Sequence, residues 1–390
     1  MLPVLSNTRR GLRLGLVLLL GLILTACQDL TTTSGPSINT SAPVNVALLV
    51  PGGSSKPGDA LLAKNLENAA RLAIADLDGV RVNLTVYNTA GQPTVAANAA
   101  IQAVNDGAKI ILGPLYAEAA NAAGLAVRNR NVNVLAFSNN ADIAGGNVFI
   151  LGSTFQNTAN RLVGFSKSRG RDRVMIVHAR STVGEIGRDA ISRAVSRNGA
   201  TLAAVESYEF SQNGVIAAVR SISSSAKSSG ANAMFFTSDT SGALPLLAQL
   251  LPENGVNTSS TQFIGLTRWD IPTNTLALPG VQGGWFALPD PALSARFEGR
   301  YQAAYGQAPH PLAGLSYDGI AAIGALVKAG KSNALTSAAL TQGAGFVGTN
   351  GIFRLRSDGT NERGLAVAQI TNAQTTIIDP APRSFGGAGF

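Results

Sequence analysis

Two short motifs in this sequence carry residue types that could do chemistry. Residues 343–348 read Gly-Ala-Gly-Phe-Val-Gly, a glycine pattern that holds a pyrophosphate when it joins a strand to a helix. Ser224 and Lys227 have the spacing of a serine nucleophile and its lysine. The glycine motif lies between a predicted helix and a predicted hairpin, and the serine motif ends a predicted helix without a Lys-Thr-Gly partner. Neither setting supports catalysis, so we expect a protein that is not an enzyme.

Metal-ligating residues are too few and too scattered to build a metal centre. The chain has two histidines, His178 and His310, and neither has a companion at ligand spacing. His178 ends a predicted strand, which favours a place in the core or at the edge of a cleft. We therefore expect no metal and no cofactor.

Cys27 is the only cysteine, and its surroundings indicate a modification of its thiol. Three arginines within the first 13 residues precede an apolar stretch over 14–24, which is the pattern of a bacterial secretory signal. The apolar stretch is shorter than the roughly 20 residues that a membrane-spanning helix needs. The alternative interpretation is a free or buried cysteine that follows an apolar run by chance.

The run Leu24-Thr25-Ala26-Cys27 resembles the lipobox of bacterial lipoproteins. The resemblance implies a signal peptide over 1–26, cleavage before Cys27 and acylation of its thiol. Several acyl chains together hold a protein firmly on a membrane, whereas one chain is marginal. By the same resemblance, Gln28 after the lipidated cysteine favours the periplasmic face of the outer membrane over the inner membrane.

Composition excludes several classes of protein. Hydrophobic residues make up 45% of the 390 residues and charged residues 13%, which predicts a folded body large enough for two lobes. Without the three signal arginines, 27 basic and 22 acidic residues leave a net charge of +5. These charges are scattered, and nucleic-acid binding requires a clustered basic face, so we expect no nucleic-acid partner. Residues 27–43 are mostly polar and lack an apolar period, which predicts a lipidated cysteine followed by a flexible tether.

From residue 44 onward, buried-type strands alternate with helical periods. This alternation predicts crossover units and parallel sheets, and the pattern occurs twice along the chain. The predicted strands cover 44–50, 80–87, 109–112, 132–137, 174–178, 201–205, 233–237 and 262–265. We therefore predict an α/β protein with two doubly wound parallel-sheet lobes joined by a hinge.

The C-terminal part breaks the alternation. A strand at Trp285 and Phe286 is followed by predicted helices over 291–305 and 312–329. The apolar runs 351–356 and 364–370 flank an Asp-Gly pair, which is a strong signal for a β-hairpin. Residues 378–390 are rich in proline and glycine and predict a loose tail.

The order of these segments resembles the type I periplasmic-binding-protein family, which includes the receptors for leucine, isoleucine and valine. The resemblance covers about 44–377. The stretches that carry it are 47–51, 111–115, 134–138, 231–236, 301–306, 316–319 and 348–353. It implies two discontinuous lobes, the first formed by 44–153 and 285–343 and the second by 154–284 and 344–377, with a ligand in the cleft between them.

Within that fold, polar residues just after strand ends are candidates for holding a ligand carboxylate. Their hydroxyls, amides and free backbone N–H groups would face the cleft, although such residues also commonly cap helices or form turns. These candidates are Ser54, Ser55, Leu115, Tyr116, Ser138, Asn139 and Thr154.

Two further candidates come from the second lobe. The resemblance assigns an acid there to the ammonium group of an amino acid, and Asp239 is the nearest match, with helix capping as the alternative. Trp269, between Arg268 and Asp270, is a candidate for the cleft wall or for a partner surface, and core packing is equally compatible with the sequence.

Two functions follow from the resemblance. The first is a membrane-anchored periplasmic receptor that closes around a small polar ligand such as an amino acid. The alternative is an outer-membrane lipoprotein activator of a penicillin-binding protein, which would use the same fold to bind a peptidoglycan synthase. Both place the protein in the cell envelope of a Gram-negative bacterium, anchored by lipid and facing the periplasm.

Overall fold

A computed structural model of the protein describes residues 35–386. The predicted signal peptide 1–26, the lipidation site Cys27 and the start of the tether lie outside the described residues. Residues 35–43 do not match the predicted tether, because Ile38 is buried in the first-lobe core and its N–H donates to Ser332 O at 2.8 Å. Within 35–386, no helix has both the length and the apolar composition to cross a membrane.

The first lobe is built on five parallel strands in the order β2-β1-β3-β4-β5. These strands are β1 (Val44–Val50), β2 (Val82–Asn88), β3 (Ile110–Leu112), β4 (Asn133–Ala136) and β5 (Val148–Ile150). The central strands are continuous apolar runs because helices cover both faces of the sheet.

Three helices connect these strands, and three more belong to the lobe later in the chain. The first three are α1 (Asp59–Ala75), α2 (Pro93–Asn105) and α3 (Ala117–Val127), and a 3₁₀ turn follows at Arg128–Arg130. Buried alanines on α2 and α3 let these two helices pack closely on the sheet and on each other. The abundance of alanine in the sequence thus corresponds to close helix packing.

The second lobe repeats this arrangement and extends it. Its sheet has seven strands in the order β15-β14-β10-β9-β8-β6-β7, of which β6 to β10 are parallel. The parallel strands are β6 (Arg173–Ala179), β7 (Thr201–Tyr208), β8 (Ala233–Phe236), β9 (Gln262–Gly265) and β10 (Trp285–Leu288). The strand order β7-β6-β8-β9-β10 has the same pattern as the order β2-β1-β3-β4-β5 of the first lobe. Two doubly wound lobes were predicted, and the fold class is confirmed.

The helices of the second lobe cover both faces of its sheet. They are α4 (Phe155–Ser168), α5 (Thr182–Arg197), α6 (Gln212–Ser229) and α7 (Leu244–Glu253). Short 3₁₀ turns lie at Ala141–Ile143, Thr273–Ala277 and Pro279–Val281.

The chain crosses between the lobes three times, and two predicted lobe boundaries need correction. The strand β10 pairs with β9 in the second-lobe sheet, so the return to the first lobe begins after Leu288 rather than at 285. The helices α8 (Pro291–Tyr305), α9 (Gly314–Lys328) and α10 (Ser337–Leu340) follow this crossing. Residues 346–355 also pack on the first-lobe core, although they were assigned to the second lobe.

A third, three-stranded sheet lies next to the crossings. It consists of β11 (Phe346–Gly348), β12 (Gly351–Leu355) and β13 (Asn361–Arg363), with the turn Asp358-Gly359 between β12 and β13. The predicted Asp-Gly turn is present here, but the predicted pairing is wrong, because β12 pairs with β13, which lies between the two predicted runs, and not with the run 364–370.

The second predicted run forms β14 (Ala366–Thr371), which is antiparallel to β10 in the second lobe. The strand β15 (Gln374–Asp379) pairs with β14 and reaches into the predicted tail. Arg161 donates to Asp379 Oδ2 at 2.5 Å, so the first residues of that tail are held in place.

Candidate ligand-binding cleft

A cavity of about 650 Å³ lies between the two lobes, at the carboxyl ends of strands from both sheets. This is the edge at which open parallel sheets place their ligands. First-lobe loops, second-lobe loops and the crossing segments all contribute to its wall. The volume is in the range of small-molecule sites in proteins.

The first-lobe wall begins after β3, where Leu115 and Tyr116 lead into α3. The Tyr116 hydroxyl donates to Asp59 Oδ1 at 2.6 Å, and the Lys56 ammonium lies 4.1 Å from the centre of the tyrosine ring. Burial, followed by the hydrogen bond to Asp59, raises the pKa of Tyr116 to about 12. The phenol is therefore neutral and held in one orientation. No side chain caps the start of α3, so its first N–H groups are available to a ligand.

The loop after β4 forms the neighbouring part of the wall. Ser138 is buried and its hydroxyl accepts a hydrogen bond from the backbone N–H of Asn140 at 3.1 Å, whereas Asn139 is exposed. Gly152, on the first crossing, packs against this loop so closely that a Cβ atom there would lie 2.4 Å from Ser138 O. Only glycine allows the crossing and the loop to meet at this distance.

The second lobe contributes a guanidinium to the opposite wall. Arg268 donates through Nε and Nη2 to the two carboxylate oxygens of Asp270, at 2.9 and 2.6 Å. This arrangement fixes the arginine in the loop after β9. Apolar side chains surround it, including the exposed Ile271 of the same loop and Leu288 at the end of β10.

A second arginine, Arg363, lines the cleft at the crossings and is itself buried. It donates through Nε to Leu151 O at 3.1 Å and through Nη1 to Asp318 Oδ2 at 3.3 Å. Asp318 also accepts from Thr349 N at 2.6 Å. Burial raises the pKa of Asp318, although Arg363 and Thr349 act in the opposite direction. These contacts connect the first crossing, α9 and the third sheet.

Four of the predicted ligand residues meet at this cavity: Leu115, Tyr116, Ser138 and Asn139. The structure places the other five outside the cavity lining. Ser54 and Ser55 lie in the loop after β1, where the Ser54 hydroxyl accepts from Lys56 N at 3.1 Å. Thr154 caps α4 in a reciprocal pair with Asn157. For Thr154, therefore, the capping interpretation describes its contacts.

Asp239 and Trp269 also lie away from the cleft. Asp239 is exposed and accepts from the Ser241 hydroxyl at 3.1 Å. Trp269 is 0% exposed and packs beside Phe236 in the second-lobe core. For Trp269, therefore, the core-packing interpretation describes its contacts, because the indole turns inward beneath the loop while Arg268 lines the cleft.

Sequence reasoning missed Arg363, Asn350 and Leu312 among the cleft residues. Each lies far along the chain from the strands of the first lobe, and only the crossings bring them to the cavity. No local pattern marks them. Within residues 35–386, no group of three or more histidine, cysteine or acidic side chains is placed to hold a metal ion.

The fold and the cleft define a two-lobed binding protein. A family model described as "Periplasmic binding protein" matches residues 43–375, and this chain belongs to that family. The family consists of binding proteins, in agreement with the expectation that this chain is not an enzyme. Its type I fold and its periplasmic character also agree with the resemblance seen in the sequence.

Solved structures with the same fold extend over nearly the whole chain. A protein of Rhodospirillum rubrum, described as a candidate branched-chain amino acid ABC transporter, has a TM-score of 0.72 and 16% identity, covering 86% of this chain and 100% of that one. A substrate-binding protein of Desulfitobacterium hafniense in complex with leucine has a TM-score of 0.60 and 16% identity, covering 86% and 100%.

A solute-binding protein of Rhodopseudomonas palustris BisB5, in complex with 3,4-dihydroxybenzoic acid, has a TM-score of 0.55 and 17% identity, covering 88% of this chain and 97% of that one. At these identities the likeness concerns the fold. By sequence, the chain is 22% identical over 233 residues to an uncharacterized protein of Rickettsia prowazekii (strain Madrid E). That match covers 58% of this chain and spans 61% of the relative's length.

Proposed function

We propose that this protein is a lipid-anchored periplasmic receptor that binds a small polar ligand in the cleft between its lobes. The observation that carries the proposal is the cavity of about 650 Å³, which is lined from both lobes at the carboxyl ends of their strands. The related structures with leucine and with 3,4-dihydroxybenzoic acid support a small organic ligand carrying a carboxylate.

The lining suits such a ligand. Apolar side chains such as Phe137, Leu312 and Leu365 provide surface for an apolar body. Hydroxyl and amide groups, including those of Ser138 and Asn139, provide directional hydrogen bonds for a polar head. The uncapped start of α3 supplies N–H groups that favour a negative charge.

Hinge closure is the proposed mechanism. The three crossings lie behind the cavity, and the two lobes carry separate hydrophobic cores. Rotation at the crossings would bring Arg268 and Ile271 towards Leu312 without disturbing either core. Closure requires that the ligand bind the closed form more tightly than the open form, which contacts from both lobes provide.

Calorimetry on the full chain in detergent, against amino acids, 2-oxo acids and aromatic acids, tests the binding. Ala117 lines the cavity at the start of α3, and Ala117→Trp should fill it and abolish the heat. Ala303→Trp, on an exposed position of α8, is the matched control and should bind normally. If Ala117→Trp binds as well as the wild type, the cleft is not the site.

The anchor and the alternative function have separate tests. Mass spectrometry of the mature amino terminus should find acylated Cys27, and an unmodified terminus would refute the anchor. No heat from the whole panel, together with co-purification of a peptidoglycan synthase, would replace the receptor by the activator of a penicillin-binding protein.

A further inference from the structure

The charged side chains that line the cleft are both arginines, Arg268 and Arg363. The side chain of Arg268 is 38% exposed, whereas that of its partner Asp270 is 12% exposed. Two of its nitrogens bind Asp270, and Nη1 is left for another acceptor. A guanidinium stays protonated at any physiological pH, so this part of the wall is permanently a donor.

Three acids near the cavity lie behind other side chains. Asp270 lies behind Arg268, Asp318 behind Arg363, and Asp59 behind Tyr116, whose hydroxyl binds it. Among the described residues, the lining contains neither aspartate nor glutamate. The Arg268–Asp270 pair thus directs its positive end to the cleft and keeps its carboxylate in the protein, whereas the Arg363 guanidinium lines the cleft with its nitrogens bound to Leu151 O and Asp318.

This polarity is unfavourable for an ammonium group. A ligand ammonium inside a closed cleft would lose its water and face guanidinium groups instead of a carboxylate. Asp239, the residue expected to hold an ammonium, is exposed and outside the lining. An oxygen acceptor in the position of the ammonium would instead receive a charge-assisted hydrogen bond from Arg268.

We infer that the cleft selects small organic acids that lack an ammonium group, such as 2-oxo acids, and that Arg268 sets this selectivity. The inference rests on the proposed function, because it assumes that the cleft binds a ligand. It adds the ligand class and assigns a specificity role to a residue of the second lobe.

Matched acid pairs test the inference in the full-length protein by calorimetry. The pairs are leucine with 4-methyl-2-oxopentanoate, phenylalanine with phenylpyruvate, and glutamate with 2-oxoglutarate. The two acids of each pair have the same side chain and the same carboxylate. They differ at the second carbon, where the oxo acid has a ketone and the amino acid has an ammonium group. We expect at least one oxo acid to bind about tenfold or more tightly than its amino acid, the discrimination typical of one unpaired ionic contact.

Arg268→Gln should weaken oxo-acid binding by about tenfold or more and should improve amino-acid binding, because it frees the Asp270 carboxylate. Arg268→Lys keeps the charge and should retain the preference for the oxo acid. Asp270→Asn keeps Arg268 and should also retain it. Thermal melting shows whether each variant is folded. If Arg268→Gln is unfolded, Arg268→Lys tests whether the positive charge sets the preference.

The outcomes separate this inference from the proposed function. Tighter binding of an amino acid overturns the inference and leaves the receptor in place. An unchanged preference in folded Arg268→Gln overturns the role of Arg268. If none of the six acids binds, the inference falls, and the wider panel with Ala117→Trp decides the receptor function.

Discussion

Glu362, on β13, binds three arginines from different parts of the molecule. Arg197 at the end of α5 donates to its Oε1 at 2.7 Å, Arg354 on β12 donates to its Oε2 at 2.6 Å, and Arg356 donates to Oε1. The glutamate side chain is 7% exposed. Because α5 belongs to the second lobe and β12 packs on the first, this cluster joins the lobes beside the crossings.

Replacing Glu362 by glutamine should destabilise the protein by about 2 kcal/mol. A buried hydrogen bond to a charged group contributes about 1.5–3 kcal/mol. The three arginines are partly exposed, so about 1 kcal/mol for each contact is the better value. Glutamine keeps one acceptor oxygen and turns an amide donor towards an arginine. For a chain of this size, the expected fall in Tm is about 2–3 °C.

The effect should depend on pH in a defined direction. Burial opposes ionisation of Glu362, but hydrogen bonds from Arg197 and Arg354 outweigh it and hold the pKa below its ordinary value of 4.5. A lowered folded-state pKa means that the stabilisation is complete above the unfolded value and is lost as the pH falls through the folded one. The difference between wild type and Glu362→Gln should therefore be largest near neutral pH and shrink below about pH 4.5.

Urea unfolding followed by circular dichroism, at neutral and acidic pH, measures this difference. The matched control is Glu67→Gln on α1, since Glu67 binds Lys64 and Arg71 on the same exposed helix face. It should cost no more than about 0.5 kcal/mol. Equal losses in the two variants, or a loss at Glu362 that does not change with pH, would refute the reasoning.

Three further predictions follow from the cleft and its surroundings. Tyr116→Phe removes the hydrogen bond to Asp59 Oδ1, and because Oδ2 already has no partner, both carboxylate oxygens are then left without one. We expect the free energy of unfolding in urea to fall by about 1–3 kcal/mol. An unchanged midpoint would contradict the contact. Gly152→Ala places a methyl group against Ser138 O. We expect the protein to be destabilised by about 1–3 kcal/mol and its ligand binding to be weaker in calorimetry. Wild-type stability together with wild-type affinity would refute the close approach. Trp269→Phe should destabilise the protein by about 1–3 kcal/mol in the same unfolding assay, because the indole is enclosed in the core. The affinity of the cleft for its ligand should not change. A loss of affinity without a loss of stability would show that Trp269 contacts the ligand.

Much of the fold could be predicted from local patterns. The eight strands predicted before residue 266 are present within a few residues, and the central ones are continuous apolar runs because both of their faces are buried. The strand β5 (Val148–Ile150) was not predicted, since no helical period separates it from β4. The Asp-Gly turn was visible, but the pattern could not tell that the following residues divide between β13 and β14.

The candidate site could be predicted only in part. Leu115, Tyr116, Ser138 and Asn139 follow strand ends, and the rule for parallel sheets brings such positions together. Ser54, Ser55 and Asp239 also follow strand ends and yet lie outside the lining. Position along a strand predicts the edge of the sheet, but it does not predict which way each loop turns.

The sequence alone determined three features, because each is a property of consecutive residues. These are the alternation of strands and helices, the repeat of that alternation and the candidate lipid signal. The tertiary structure decided which residues face the cleft. Asn157 donates to Asn361 O, 204 positions away, and Arg363 reaches Asp318 across 45 positions. Such pairs form only after both lobes and all three crossings are in place, because they depend on distances between elements rather than on spacing within one.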